Sequence, residues 1–402
     1  MKKYTTFILL GIILFLAAVL AGVLLFLRNQ PPQARNVQPI VTVKALEPYS
    51  SVWGLNYPNE YSSLLLTAGN KTATTYGGSA QKSYLVEDPR LVILFAGYSF
   101  AKDYNQPRGH QNTLIDVRAT KRVNDTTHAT CYSCKSSDNP GLWAQMGMQA
   151  YDALLFKDMT PWIINPIGCA NCHVTYYFAG TDKVLTVPWN NGTRVEDIIK
   201  SEDAASFADW TYPGTNTPIM KARHPDYEIY TANSTHYLEG VGCADCHMPY
   251  LRDGAIKYSD HDIRSPLLEP SITCGQCHTD VDDVLARVQT IQDTVHAAKI
   301  EAEDALIDAI TALTAATVKA GADPALLAQA RDLHRQAQFM WDFISSSNSM
   351  GFHNPDEALR ILHQATDLAR QAQMKAAQAA NDPSLLVTGV YDAMNPKPTP
   401  AP

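Results

Sequence analysis

No cysteine in this 402-residue chain stands alone, because all eight fall into four C-x-x-C pairs: Cys131/Cys134, Cys169/Cys172, Cys243/Cys246 and Cys274/Cys277. Positive charge is also short, with 32 Lys and Arg against 40 Asp and Glu for a net charge of −8, so no nucleic-acid partner is expected. Long apolar runs are rare as well. The one that is long enough to span a bilayer, Phe7 to Leu27, follows Lys2 and Lys3, and no small-x-small cleavage site followed by a polar segment is obvious after it. Residues 1–28 therefore read as an uncleaved signal anchor or transmembrane helix, with a cleaved signal peptide as the alternative. Both place the body outside the cytoplasm, on the periplasmic or outer face, and the first tethers it to the cytoplasmic membrane.

Three of the pairs continue into a histidine, namely His173, His247 and His278, whereas the fourth continues into Lys135. C-x-x-C-H is the signature of covalent c-type haem attachment: two thiols capture the porphyrin vinyl groups and the next residue offers its nitrogen to the iron. With twelve histidines in the chain, three such coincidences have odds of roughly one in ten thousand. Paired C-x-x-C units can also hold structural zinc, but zinc gives no reason for a histidine abutting each pair. Disulfides suit an exported chain, yet within C-x-x-C they close very small loops and add little stability.

Four haems in one body call for a mainly α, multihaem cytochrome c fold in which much of the core is cofactor and regular structure around the porphyrins is sparse. Residues 29–52, which include "NQPPQARNVQP", read as an extracytoplasmic tether. Residues 53–278 are then the haem-binding catalytic region, and 386–402, ending in "NPKPTPAP", a disordered tail. Between them, 279–385 carries apolar residues at helical spacing. One helix is predicted over 282–320 with Gly321 as its stop, a second from Pro324 to Ser345, and a third starting at Asn354-Pro355. These alanine-rich helices either pack on their own core or form a homodimer interface, and the second reading is favoured.

A deprotonated lysine amine is a competent iron ligand, provided the site holds it neutral or metal-bound. One lysine among three histidines suggests a division of labour. The His-ligated haems carry electrons with both axial positions filled, and the Lys135 haem keeps one position open for substrate. The bland alternative makes Lys135 a surface residue beside a haem ligated by another histidine.

In the stretches "EDPRLVILFAGYSFAKDYNQPRGH", "CYSCKS", "CHVTYYF", "MKARHPDYE", "CADCHMPY" and "SMGFHNP", the chain resembles the ammonia-forming cytochrome c nitrite reductase family. The resemblance implies a six-electron reduction of nitrite to ammonium on a mostly helical homodimer, with Lys135 at the active-site haem. It also implies active-site roles for Arg122, Tyr176 and His224, and distal iron ligation by His110, His236 and His353. A guanidinium and an imidazole suit an anionic substrate, and a tyrosine hydroxyl can donate a proton or hold water. His128, His296, His334 and His363 match no such motif and read as ordinary surface or helix residues.

Two departures stand out. Family members usually carry five haem motifs and this chain has four: the approach to Cys169 looks like the family's second motif and the exit from it like the third, with the intervening segment absent. His261 in "YSDHDIRSP" resembles the distal ligand of the lost haem and reads as a possible orphan. The loss bears on electron supply, which in the family comes from a membrane quinol-oxidising cytochrome. Second, Thr175 and Arg223 stand where the family commonly has a calcium-binding Glu and Gln, while Lys221 is retained. Calcium favours oxygen ligands, so its absence is expected, with Arg223 filling its place. A multihaem electron carrier without turnover, and a reductase of sulfite or hydroxylamine, remain alternatives.

Overall fold

The computed structural model describes residues 12–23, 39–167, 175–187 and 189–395, in two compact units, 1–42 and 43–402. Cys169, Cys172 and His173 thus lie outside the described residues, as do residues 29–38 of the tether and the two ends of the predicted anchor. In the first unit, residues 12–23 are helical and exposed. Among the described residues no helix is long and apolar enough to cross a membrane.

The second unit is built on three long helices whose ends follow from their capping residues. The first, Val281–Val318, begins three residues after His278, with the Asp280 carboxylate accepting from the Asp283 N–H at 3.0 Å. The second, Pro324–Ser345, has Pro324 in its first turn and Asp323 accepting from the N–H groups of Ala325 and Leu326. The third, Pro355–Ala380, is capped by Asn354 and stops at left-handed Asn381. Ala302, Ala305, Ala309, Ala330, Ala337, Ala365, Ala369 and Ala372 are all fully buried, so the three backbones approach closely along stripes of small residues. Trp341, Phe339, Phe343 and Leu306 fill the wider gaps. These alanine stripes are therefore spent on packing within a single chain, as in the reading that gives the helices a core of their own.

The chain does not become a disordered tail at 386. Gln373 donates to the carbonyls of Leu385 and Val387, the Asp308 carboxylate accepts from the Gly389 and Val390 N–H groups, and Tyr391 is buried beneath the Arg90 guanidinium at 4.2 Å. These contacts hold a final short helix, Val390–Met394, on the first long helix. The proline-rich composition that suggests disorder belongs only to the end beyond it.

Among the described residues from 43 to 279 regular structure is sparse, as expected: short helices, 3₁₀ turns and four two-stranded hairpins. The hairpin of Trp210–Tyr212 with Thr217–Ile219 and the helix Val195–Ala204 share one core with the long helices. That anchorage fixes the following segment, Lys221 to His224. A smaller core of Leu114, Val117, Ala129, Tyr132, Tyr151, Phe156, Met159 and Ile163 supports the first cysteine pair.

Candidate active site

The Cys131–Lys135 stretch is pinned from below. Tyr132 stacks on Phe156 at 4.0 Å, and the buried Asn139 amide donates to the carbonyls of Tyr132 and Ser133 at 2.6 and 3.0 Å while accepting from the Tyr151 hydroxyl at 2.8 Å. Lys135 N–H donates to Tyr132 O at 2.8 Å, and the Thr113 hydroxyl donates to Lys135 O at 2.9 Å. The motif's main chain is therefore set by hydrogen bonds, with the Tyr132 side chain held in the core beneath it. Burial, with the nearby Arg122 cation adding to it, pushes the Lys135 amine below its usual value, against the pull of the Cys134 and Cys131 thiols and Asp116. That environment disfavours the ammonium and suits an amine that donates its lone pair.

Arg122, Tyr176 and His224 converge on this motif from three separate segments. The Arg122 guanidinium lies over the Phe100 ring at 4.3 Å, with Nε donating to the Thr120 hydroxyl at 3.2 Å. Tyr176 hydrogen-bonds the Cys134 thiol, and burial with that thiol raises the phenol well above its ordinary value, so it stays protonated. Its ring lies 6.5 Å from that of His224, nearly parallel, and His224 itself holds a left-handed φ of 49°. Such strain in a non-glycine residue is characteristic of functional sites.

The positions of the family's calcium ligands hold a network of charges. Arg223 donates to Lys221 O at 2.9 Å, to the Tyr98 hydroxyl at 3.2 Å and to the Asp209 carboxylate, and its guanidinium lies 5.0 Å from the Phe178 ring. Beneath it, the Lys221 amine donates to Asp342 Oδ1, Ser346 Oγ and Ala222 O, each at 2.7 Å. Thr175 turns both its N–H and its hydroxyl toward the buried Glu228 carboxylate at 3.1–3.2 Å. Nothing in the sequence marks Asp209, Glu228 or Asp342, since acids in an acidic chain carry no motif.

Histidines away from this site form two pairs. The rings of His247 and His353 stand 6.2 Å apart at 74°, and those of His278 and His236 stand 6.3 Å apart at 86°. Two metal–imidazole bonds of about 2.0–2.1 Å in line, with each ring centre roughly 1.1 Å behind its nitrogen, place two imidazoles on one metal about 6.2–6.4 Å apart. The residues present therefore fit an iron held between each pair, beside the cysteines that would bind the porphyrin. Asp226 Oδ1 lies 3.3 Å from His353 Nδ1. His261 is fixed likewise: its Nδ1 hydrogen-bonds Ser259 O at 2.9 Å and its main-chain N–H donates to Ser63 Oγ at 2.7 Å. His110 opens a 3₁₀ turn after Gly109, whose φ of +99° and closeness to Thr67 admit no Cβ. Among the histidines without a motif, His334 is fully buried in the second long helix between Thr217 and Gln338.

The cysteines differ in how far the chain covers them. Cys277, the last of the eight, is exposed, and so is Cys243, whereas Cys131, Cys134, Cys246 and Cys274 are half-buried. Cys277 follows the 3₁₀ turn Cys274–Gln276, its N–H donating to Cys274 O at 3.1 Å, and the chain then runs into the first long helix. The Cys131/Cys134 pair rests on a core of its own. Among the described residues no cysteine is in a disulfide, and no three His, Cys, Asp or Glu side chains gather as a zinc site requires.

The family model for cytochrome c552 matches residues 50–173 and 167–399. The two matches overlap at 167–173, which contains the Cys169/Cys172/His173 motif. Cytochrome c-552 of Parabacteroides distasonis is 35% identical over 391 residues, spanning 84% of this chain and 78% of that protein. The cytochrome c-552 of Desulfotalea psychrophila is 32% identical over 409 residues, spanning 85% and 77%. Among solved structures, the catalytic subunit of cytochrome c nitrite reductase from Desulfovibrio desulfuricans, described as having two calcium sites, superposes with a TM-score of 0.78 at 26% identity over 89% of this chain and 90% of that one. With a lysine-bearing C-x-x-C motif, paired histidines at iron-bridging separation and this extent of similarity, the chain belongs to the cytochrome c552 family of multihaem nitrite reductases and carries covalently bound c-type haems.

Proposed function

We propose that this protein reduces nitrite to ammonium at the haem attached to Cys131 and Cys134, with Lys135 as the iron's protein ligand. The observation that carries this reading is the meeting of Lys135 with Arg122, Tyr176 and His224, drawn from distant parts of the chain. When bound, the haem supplies an iron with one open coordination position and a store for electrons. The protein side chains do the rest. The guanidinium of Arg122 and the imidazole of His224 attract the anion and hydrogen-bond its oxygens. Tyr176, kept protonated by burial, donates rather than accepts. Nitrite takes up six electrons and eight protons to give ammonium and two waters, so a site rich in proton donors matches the stoichiometry.

Three further haems serve as electron carriers in this reading: His247 with His353, His278 with His236, and His173 with His110. The overlap of the two family matches at 167–173 supports one attachment motif standing where relatives have two, hence four haems and a His261 without an iron. Arg223 occupies calcium's place, since its guanidinium already satisfies Lys221 O and the Asp209 carboxylate. We place the protein outside the cytoplasmic membrane, anchored by residues 1–28, as a homodimer fed by a membrane quinol-oxidising cytochrome.

Holoprotein supplied with nitrite and a low-potential dye tests this, with ammonium, haem and calcium counted on the same sample after equilibrium dialysis. The expected result is ammonium at six electrons per nitrite, four haems and no stoichiometric calcium. Four haems without turnover would establish the electron-carrier reading instead. Turnover of sulfite or hydroxylamine in place of nitrite would reassign the substrate, and retained calcium would remove the role given to Arg223.

A further inference from the structure

Tyr176 and His224 reach the site from separate segments, and one buried side chain ties those segments together. Glu228 is 5% exposed and sits in the short helix Asp226–Thr231, which begins directly after His224 and Pro225. Its two carboxylate oxygens accept the Thr175 N–H at 3.1 and 3.2 Å, and Oε2 also accepts the Thr175 hydroxyl at 3.1 Å. Thr175 is the residue before Tyr176 and is itself 1% exposed. The helix that carries Glu228 is anchored on its other side. Asp226 accepts from the Asn348 N–H at 2.9 Å, the Asn354 amide donates to the carbonyls of Ile229 and Ala232 at 3.1 and 3.0 Å, and Ile229 lies in the core shared with the long helices. Glu228 therefore links the fixed helix behind His224 to the main chain that presents Tyr176.

Thr175 is also held at its carbonyl, which accepts from Trp189 Nε1 at 2.6 Å. Glu228 on the N–H and Trp189 on the carbonyl fix the peptide planes on either side of the Thr175 α-carbon, and so the direction in which the chain delivers Tyr176. Without Glu228 the Trp189 bond remains as a pivot: the segment stays docked, but the Tyr176 ring is free to turn from its place 6.5 Å from that of His224. A proton donor displaced by about an ångström can cost a reaction up to roughly a hundred-fold in rate.

We propose that Glu228 is a positioning residue for the reaction: by clamping Thr175 it sets Tyr176 against His224, and it serves proton delivery rather than capture of the anion. The inference rests on the reading that nitrite is reduced at the Lys135 haem. Glu228 acts through Thr175 and Tyr176, and no bond to the substrate is made or broken by it.

The test compares wild type, Glu228→Ala, Glu228→Asp and Glu228→Gln as holoproteins of matched haem content, by steady-state nitrite reduction and by amide hydrogen exchange over residues 175–187. Glu228→Asp is one methylene short of Thr175, whereas Glu228→Gln keeps the length and an oxygen that accepts the Thr175 N–H. In the Ala and Asp variants kcat and kcat/KM fall together by about ten-fold or more while KM stays within about two-fold of wild type. Exchange over 175–187 quickens in both, and that of the helix Val281–Val318 does not change. Glu228→Gln retains most of the wild-type kcat and protection. An unchanged kcat in the Ala and Asp variants overturns the proposal, as does a rise in KM that accounts for the whole loss, since the lost interaction would then be anion binding. Unchanged exchange over 175–187 overturns it too, and so does a loss in Glu228→Gln equal to that in Glu228→Ala. If Glu228→Ala fails to fold, the Asp and Gln variants decide on the same criteria. Wild type that forms no ammonium fails the nitrite reading instead, and the exchange data alone then decide whether Glu228 holds the segment.

Discussion

A lysine and an aspartate 121 residues apart in sequence meet at Lys221 and Asp342, with side chains only 2% and 1% exposed. Burial is the largest influence on both, lowering the Lys221 amine and raising the Asp342 carboxyl, and each partner opposes that shift in the other. Asp342 also accepts from the Ala222 N–H at 2.7 Å, which makes it the post that fixes the main chain leading to Arg223 and His224. Asp342→Ala leaves a buried ammonium without its counter-ion and should destabilise the holoprotein by about 3–5 kcal/mol, read from denaturant unfolding. A loss below about 1 kcal/mol would show that the pair is dispensable. Such partners are invisible in a sequence because nothing local links them. The haem-binding residues are legible for the opposite reason: covalent attachment demands two thiols and a ligand within five consecutive positions. Lys135 is legible only as the exception among three histidines.

At the scale of elements, the haem ligands sit in short, tightly specified turns between longer supports. His353 lies between the second and third long helices, in a turn where Met350 and Gly351 both have positive φ and a Cβ on Gly351 would come within 2.5 Å of Val295. Helical periodicity locates those helices to within a few residues, since their caps are written in Asp280, Asp323 and Asn354. It does not reveal what their apolar faces meet, because an alanine stripe reads the same against a neighbour in the chain or a second copy. The pairing of His353 with His247 is equally hidden, as it depends on how that turn folds back over the short helix Cys243–His247. His353→Ala removes one imidazole while sparing the cysteines. Four haems should remain attached, with one low-spin haem converted to a high-spin signal in electron paramagnetic resonance. An unchanged low-spin count would show that His353 is not an iron ligand.

For the whole molecule, the acid buried on the inner face of the helix Val195–Ala204 has a thermodynamic cost that depends on pH. Glu202 has its carboxyl pushed up to about 8 in the folded chain, whereas the unfolded chain titrates it near 4.5. Between those values the folded state binds the proton and the unfolded state releases it. Stability therefore falls as pH rises through this window, by up to about 1.4 kcal/mol per pH unit from this group, and levels off above pH 8. Asp88, Asp103 and Glu357 act in the opposite sense. Their neighbouring cations and hydrogen-bond donors overcome burial and lower them, so their contribution is complete above their unfolded values and is lost as pH falls below that range. The two trends cross on the acid side of neutrality, so the holoprotein should be most stable near pH 5 and weaken toward pH 8. Glu303 is also pushed up to about 8 and adds to the same alkaline limb. Glu202→Gln should therefore lessen the slope of that limb in a denaturant-midpoint curve without abolishing it, while leaving the acid limb in place. If the alkaline limb stays as steep as in wild type, Glu202 does not hold its proton in the folded protein.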